Sequence, residues 1–351
     1  MKTGINRVFA AVLALLTAVS MLPLAAFATG ADISISTADE FRKFAENVNA
    51  GDSYEGKTVR LDVNIELGGE SNPWSSIGTS SSPFKGTFDG NYHVISGLYI
   101  ASGSAVGLFG NVNGGEIKNI VVRGSVTGTS DVAGVVGKLT SGKVTNCGNE
   151  ATVSGGSNVG GVVGSVNNTC TVSTCHNKGS VTGSIGYIGG VTGQHWREGT
   201  VENCYNSGTV TGPATVGGVT GGHKAASPVL NNCYNSGNVV DSKGNNNNIG
   251  AIIGASRGTN TNCYYIKGTG TNTKGGVTEV ESITAEMLSD AFTDGESTLV
   301  LSWESKVSAD APRSSRIYRK HRAFCCFGRI HKGGCKKHKN SVGHRRFSFG
   351  K

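Results

Sequence analysis

The chain has little proline, 6 in 351 residues, and little charge, with 16% Asp, Glu, Lys and Arg. Leucine is scarce and builds no repeating column, which argues against a leucine-rich repeat. Past the first 28 residues no stretch approaches the ~20 apolar residues that cross a membrane as a helix. The zinc-protease pattern HExxH is absent, and His93, His176, His195 and His223 stand singly. What the chain has in excess is glycine, 54 residues, about twice the usual ~7%. Glycine does not fall at every third position, which excludes collagen.

Charge is unevenly placed. Of the 32 Lys and Arg, 13 lie between Arg313 and Lys351, a stretch without Asp or Glu. The rest of the chain then carries 19 basic against 24 acidic residues, a net of −5. The opening segment has the layout of a secretory signal. Lys2 and Arg7 are followed by an apolar run from Val8 to Leu24, and Ala26-Phe27-Ala28 is a small-x-small cleavage site. Maturation is expected near Thr29. Pro23 interrupts the run and no stop-transfer cluster follows, so a membrane anchor is not expected.

The middle of the chain repeats. A small knot of apolar-Gly-Gly-apolar-x-Gly character recurs at Ala105–Gly110, Val132–Gly137, Val159–Gly164, Ile188–Gly193, Val216–Gly221 and Ile249–Gly254. A second column runs through Ile120, Cys147, Cys175, Cys204, Cys233 and Cys263, in steps of 27, 28, 29, 29 and 30 residues. Val and Thr favour strands, whereas Gly and Asn tolerate the positive φ of tight corners. Each unit therefore reads as short strands joined by corners. One such unit cannot bury its own inward face, but a stack can. The expected fold is all-β: a right-handed parallel β-helix of about six to eight coils, its hand taken from the rule for parallel crossovers.

Leu98 is assigned to the same slot as Ile120. A slot taking Leu, Ile and Cys is inward and apolar, so Leu98, Ile120, Cys147, Cys175, Cys204, Cys233 and Cys263 read as one core column. Disulfides between adjacent coils are the rival reading, since export favours oxidation. Asn119, Asn146, Asn203, Asn232 and Asn262, with Thr174 as the exception, precede that slot and read as a corner ladder. Before the repeats, Thr37-Ala38-Asp39-Glu40 is a capping box. Phe41, Phe44, Ala45 and Val48 follow at helical spacing. This short helix is expected to cover the N-terminal end of the solenoid. Val59, Leu61, Val63, Ile65 and Leu67 alternate as one half-buried strand. Thr284–Ala291 reads as a second short helix, and Trp303 is expected to pack on the far end.

These residues carry a resemblance. The chain resembles the GLUG-repeat proteins of bacterial surfaces, through the knot Gly107-Leu108-Phe109-Gly110 and the lead-in Phe84-Lys85-Gly86-Thr87-Phe88-Asp89-Gly90-Asn91 followed by Ile95–Leu98. The likeness covers about residues 31–305. It implies an extracellular β-helical module, as found in secreted, wall-attached and adhesin-like proteins and beside IgA-cleaving metalloproteases. The family brings no catalytic residues. The organisation is then a signal peptide (1–28), a cap with the first coils (29–102), the repeats (103–270), a capping segment (271–312) and a basic, disordered tail (313–351). The tail departs from the family style and reads as a frameshift product or, alternatively, as a genuine extension. Its Cys325, Cys326, Cys335 and His338 lack standard zinc spacing.

For chemistry, Asp89, Glu116, Asp131, Glu150, Glu198 and Glu202 sit at different repeat positions, although Glu198 and Glu202 share a neighbourhood with Arg197. No metal, cofactor or specific nucleic-acid site is expected. The candidate binding residues are Tyr205, Tyr234 and Tyr264, each following a column cysteine, with His176 after Cys175 and Tyr99 at the matching earlier position. If the cysteine points inward, its neighbour points outward. A ring strip there suits glycans or proteins of a host or wall; the competing expectation is that the rings stack on one another. The resulting expectation is a secreted, non-catalytic module for adhesion, ligand presentation or spacing. The alternative is a truncated part of a secreted metalloprotease or glycan-degrading enzyme.

Overall fold

The computed structural model describes residues 31–225, 228–270 and 277–282. The signal segment, the helix expected at Thr284–Ala291, Trp303 and the basic tail lie outside the described residues.

The described chain winds into a β-solenoid whose strands pair in parallel. One register column runs Ile33, Val59, Phe88, Ile117, Val144, Val172, Val201, Leu230 and Asn260, one residue per winding over nine strands. All members from Val59 to Leu230 are fully buried. Neighbouring windings in such a stack lie about 4.8 Å apart. Side chains of one column therefore touch and form a continuous dry seam.

The N-terminal end is closed as expected. The helix Ala38–Asn49 begins on Thr37, whose hydroxyl accepts from the Glu40 N–H, while Glu40 Oε2 accepts from the Thr37 N–H, both at 3.1 Å. Phe41, Phe44, Ala45 and Val48 face the first windings. There Phe41 stacks on Trp74 at 5.0 Å and Phe44 meets Phe84 and Phe88. Gly51, at φ 116°, turns the chain out of the helix.

The strand expected over 59–67 is broken. Thr58–Leu61 and Ile65–Glu66 are separate strands, and Val63 is 40% exposed. The chain turns a corner between them, so the alternation continues onto a different face.

Corners are made by left-handed residues. Asn119, Asn146, Thr174, Asn203, Asn232 and Asn262 all have φ between 49° and 58°. The amides of this ladder bond along the stack: Asn146 donates to Asn119 (2.8 Å), Asn232 to Asn203 (3.3 Å) and Asn262 to Asn232 (3.1 Å). A second left-handed position precedes each knot, at Ala105, Asp131, Asn158, Tyr187, Thr215 and Asn248. Three of the six, Ala105, Tyr187 and Thr215, lack the Asn or Asp side chain that relieves such a backbone, so there the stack imposes the conformation.

Two register assignments need correction. His93, not Leu98, pairs with Ile120; Leu98 pairs with Gly124 and Tyr99 with Ser125. Leu98 is buried in the core, but in another column. One period of 27 residues before Ile120 falls on His93, whereas Leu98 lies only 22 residues before it, so the pairing follows the period and not the apolar likeness of Leu98 to Ile120. The first knot is also one residue short, because Val106, rather than Ala105, pairs with Val132.

Candidate functional site

Ile120 and Cys147 are register partners, and the Cys147 and Cys175 N–H groups point at the sulfurs of Cys175 and Cys204. The column cysteines are free and buried, as is Cys170 beside them. Each column thiol donates to the carbonyl two residues earlier, at 3.0–3.3 Å: Thr145, Ser173, Glu202, Asn231 and Thr261. Burial pushes the Cys147 and Cys204 thiols well up, and Cys170 to about 11. The expected result is that iodoacetamide leaves all six unmodified in the native chain and labels all six after denaturation. Native labelling of any of these six in peptide maps, or cross-linked peptides between windings, would contradict this arrangement.

The ring column exists but is not displayed. His176, Tyr205, Tyr234 and Tyr264 are register partners in successive windings. His176 stacks on Tyr205 and Tyr205 on Tyr234, each at 5.2 Å and within 10° of parallel. Tyr205 and Tyr234 are buried; His176 and Tyr264 are half-buried. The outward strip expected from strand alternation is thus corrected for the two central tyrosines. Alternation gives the side of a strand, not what covers it, and stacking covers both faces of Tyr205. Burial also lifts the Tyr234 hydroxyl above its ordinary range. Gly148 fits the column because a Cβ there would lie 2.4 Å from the His176 ring.

Two residues past each column cysteine stands a residue that the sequence reading overlooked. Asn149, Asn177, Asn206 and Asn235 are fully buried and bond in a chain, each Nδ2 donating to the next Oδ1 at 2.7–2.8 Å. Each amide also donates to the carbonyl two residues on: Ala151, Gly179, Gly208 and Gly237. This inner ladder explains the second glycine of the knots. A Cβ at Gly134, Gly161, Gly190 or Gly218 would come within 2.4 Å of the facing asparagine amide. Where Tyr265 replaces the asparagine, Ala251 replaces the glycine. The visible signal was the spacing Cys-x-Asn.

On another face, His195 pairs with His223 inside the stack, with rings 5.4 Å apart and both buried. Neither His195 nitrogen has a hydrogen-bond partner, nor do Ser165 Oγ and Gln194 Oε1. Burial first, then the neighbouring His223, lowers His195 to about 3; burial lowers His223 to about 4. Both imidazoles are therefore neutral.

The next register position faces solvent. Trp196 is 43% exposed and lines a shallow groove of about 370 Å³ with Lys138, Thr140, Asn167, Asn168 and Arg197. Glu198 is exposed but does not line it. Among the described residues, no group of three His, Cys, Asp or Glu is placed to hold a metal ion.

The GLUG motif family matches residues 184–211. That span holds the knot Ile188–Gly193, Trp196, Cys204 and Asn206, one full winding of the geometry above. The chain carries a GLUG β-helix module. The fold of this GLUG module is shared with the crystal structure of a proposed immunoglobulin A1 protease from Bacteroides ovatus. The TM-score is 0.59 at 21% identity, over 77% of this chain and 87% of that one. A search of curated proteins finds no match. No helix among the described residues is long and apolar enough to cross a membrane.

Proposed function

We propose that the chain is an exported, non-catalytic module that presents a repetitive surface for adhesion or ligand contact, or holds other parts at a distance. The observation that carries this reading is the continuous column of register partners from Ile33 to Asn260. Nearly every inward side chain along it serves stacking. The corner asparagines, the inner ladder and the knot glycines all serve the regularity of the rod. Lys2, Arg7, the apolar run and Ala26-Phe27-Ala28 support export by signal cleavage.

A second reading is favoured by the neighbour's description as a proposed immunoglobulin A1 protease. In that case this chain is the β-helical part of a secreted enzyme whose catalytic domain lies elsewhere. The test is to incubate the purified mature chain with immunoglobulin A1 and with polysaccharides. The expected result is no new peptide fragments and no new reducing ends, with the chain recovered from medium or cell surface in fractionated cultures. Cleavage of either substrate would overturn the non-catalytic reading, and a purely cytoplasmic chain would overturn export.

A further inference from the structure

We infer that the groove around Trp196 is a binding site for an acidic glycan. The site is built by register. Leu139, Val166, His195 and His223 form one inward column across four windings. The residues after them, Thr140, Asn167, Trp196 and Lys224, stand together on the outside. Their backbones are tied between windings: Asn167 N–H to Leu139 O (2.8 Å), Trp196 N–H to Val166 O (2.9 Å) and Lys224 N–H to His195 O (2.8 Å). These bonds fix the backbone that carries the Trp196 ring at the rim of the groove.

The chemistry around the ring is selective. The Lys224 ammonium sits 3.7 Å over the centre of the Trp196 ring and covers one of its faces, so a sugar would take the opposite face, with this third cation behind the ring. Thr140, Asn167 and Asn168 supply hydroxyl and amide groups along the groove, and Lys138 and Arg197 supply positive charge. No carboxylate lines it. A flat aromatic face suits the C–H face of a sugar ring, amides and hydroxyls suit its alcohols, and two cations without an acid suit a carboxylate or sulfate. An open groove crossing several windings fits a chain of sugars better than a small enclosed ligand. Outside the basic segment from Arg313 onward the chain has a net charge of −5, so this cationic lining stands against the local trend.

This inference deepens the ligand-presenting reading above; its failure would leave a pure spacer standing. The test is calorimetric titration of the full chain, at about physiological salt to suppress non-specific contacts. The probes are oligogalacturonate, a sulfated chondroitin oligosaccharide, a neutral malto-oligosaccharide and poly-glutamate. At least one acidic oligosaccharide is expected to bind, and the outcome between the two tells carboxylate from sulfate. Trp196→Ala should weaken it about ten-fold, and Trp196→Phe should restore much of that loss. Lys138→Gln with Arg197→Gln should erase the preference for acidic over neutral sugar. Trp196 is exposed, so Trp196→Ala should keep the wild-type melting temperature. Unchanged binding in Trp196→Ala would assign the contact to the basic segment after residue 312 and overturn the inference. Absence of binding to both acidic sugars, equal binding of the neutral one, or equally Trp196-dependent binding of poly-glutamate would also overturn it.

Discussion

Replacing Asn206 with alanine is expected to lower the stability of the solenoid by about 3–4 kcal/mol, the largest effect of any single side chain outside the apolar core. The change removes hydrogen bonds from four groups at once. The Asn177 amide keeps only Gly179 O, Asn235 Oδ1 keeps only the Gly237 N–H, and the Gly208 N–H and carbonyl both lose their bonds to Asn206. All are buried, and each buried group left unpaired costs about 1–3 kcal/mol. Asn203→Ala is the control. It removes one outer amide contact and the side chain that favours φ 55°, but on a half-buried corner. A loss of about 1–2 kcal/mol is expected there. Urea unfolding followed by circular dichroism measures both. An Asn206→Ala midpoint equal to that of Asn203→Ala would mean that the inner ladder contributes no more than the corner.

Acid should loosen the stack well before its carboxylates titrate. Unfolded histidines bind a proton near pH 6.5. Folded His223 and His195 refuse it until about pH 4 and about pH 3 respectively. Below pH 6.5 the unfolded chain thus binds more protons than the folded one, and stability falls as pH falls. The slope is about 1.4 kcal/mol per pH unit for each histidine, ending at the folded values. Glu150 extends the decline. Burial alone would raise it, but hydrogen bonds from Lys178 and Arg123, both at 2.8 Å, outweigh burial and hold it at about 2. Its contribution is complete above about pH 4.5 and lost below. Thermal unfolding between pH 7 and 4 reads the combined slope, and His195→Met should flatten it by about half above pH 4.5. A flat profile from pH 7 to 5 in the wild-type chain would show that the two imidazoles are not held neutral.

How much of this was legible beforehand depends on how local each cause is. The capping box at Thr37 and Glu40 and the corner asparagines act within a few residues, and their sequence signals were read correctly. The period of the cysteines located the windings, because one inward slot per turn must be small and apolar. Leu98 is misassigned because its apolar side chain resembles Ile120, although the 27-residue period points to His93. Asn206 stood in view two residues from Cys204, but its meaning depends on Gly190, sixteen positions earlier in the chain and in contact only after winding. Tyr205 was assigned the proper stack and the wrong exposure, since covering is a property of neighbours. The Trp196 groove was invisible as a pattern: Thr140, Asn167, Trp196 and Lys224 share a position but no residue type.

The parallel register has a mechanical consequence. Hydrogen bonds between windings run along the rod, so tension applied along that axis loads them one winding at a time rather than all together. A rod anchored at one end and pulled at the other would yield by peeling. Each released winding, about 28 residues, pays out roughly 95 Å of extended chain. Such a rod lengthens in steps under load, and its remaining turns stay folded while the outermost one absorbs the pull.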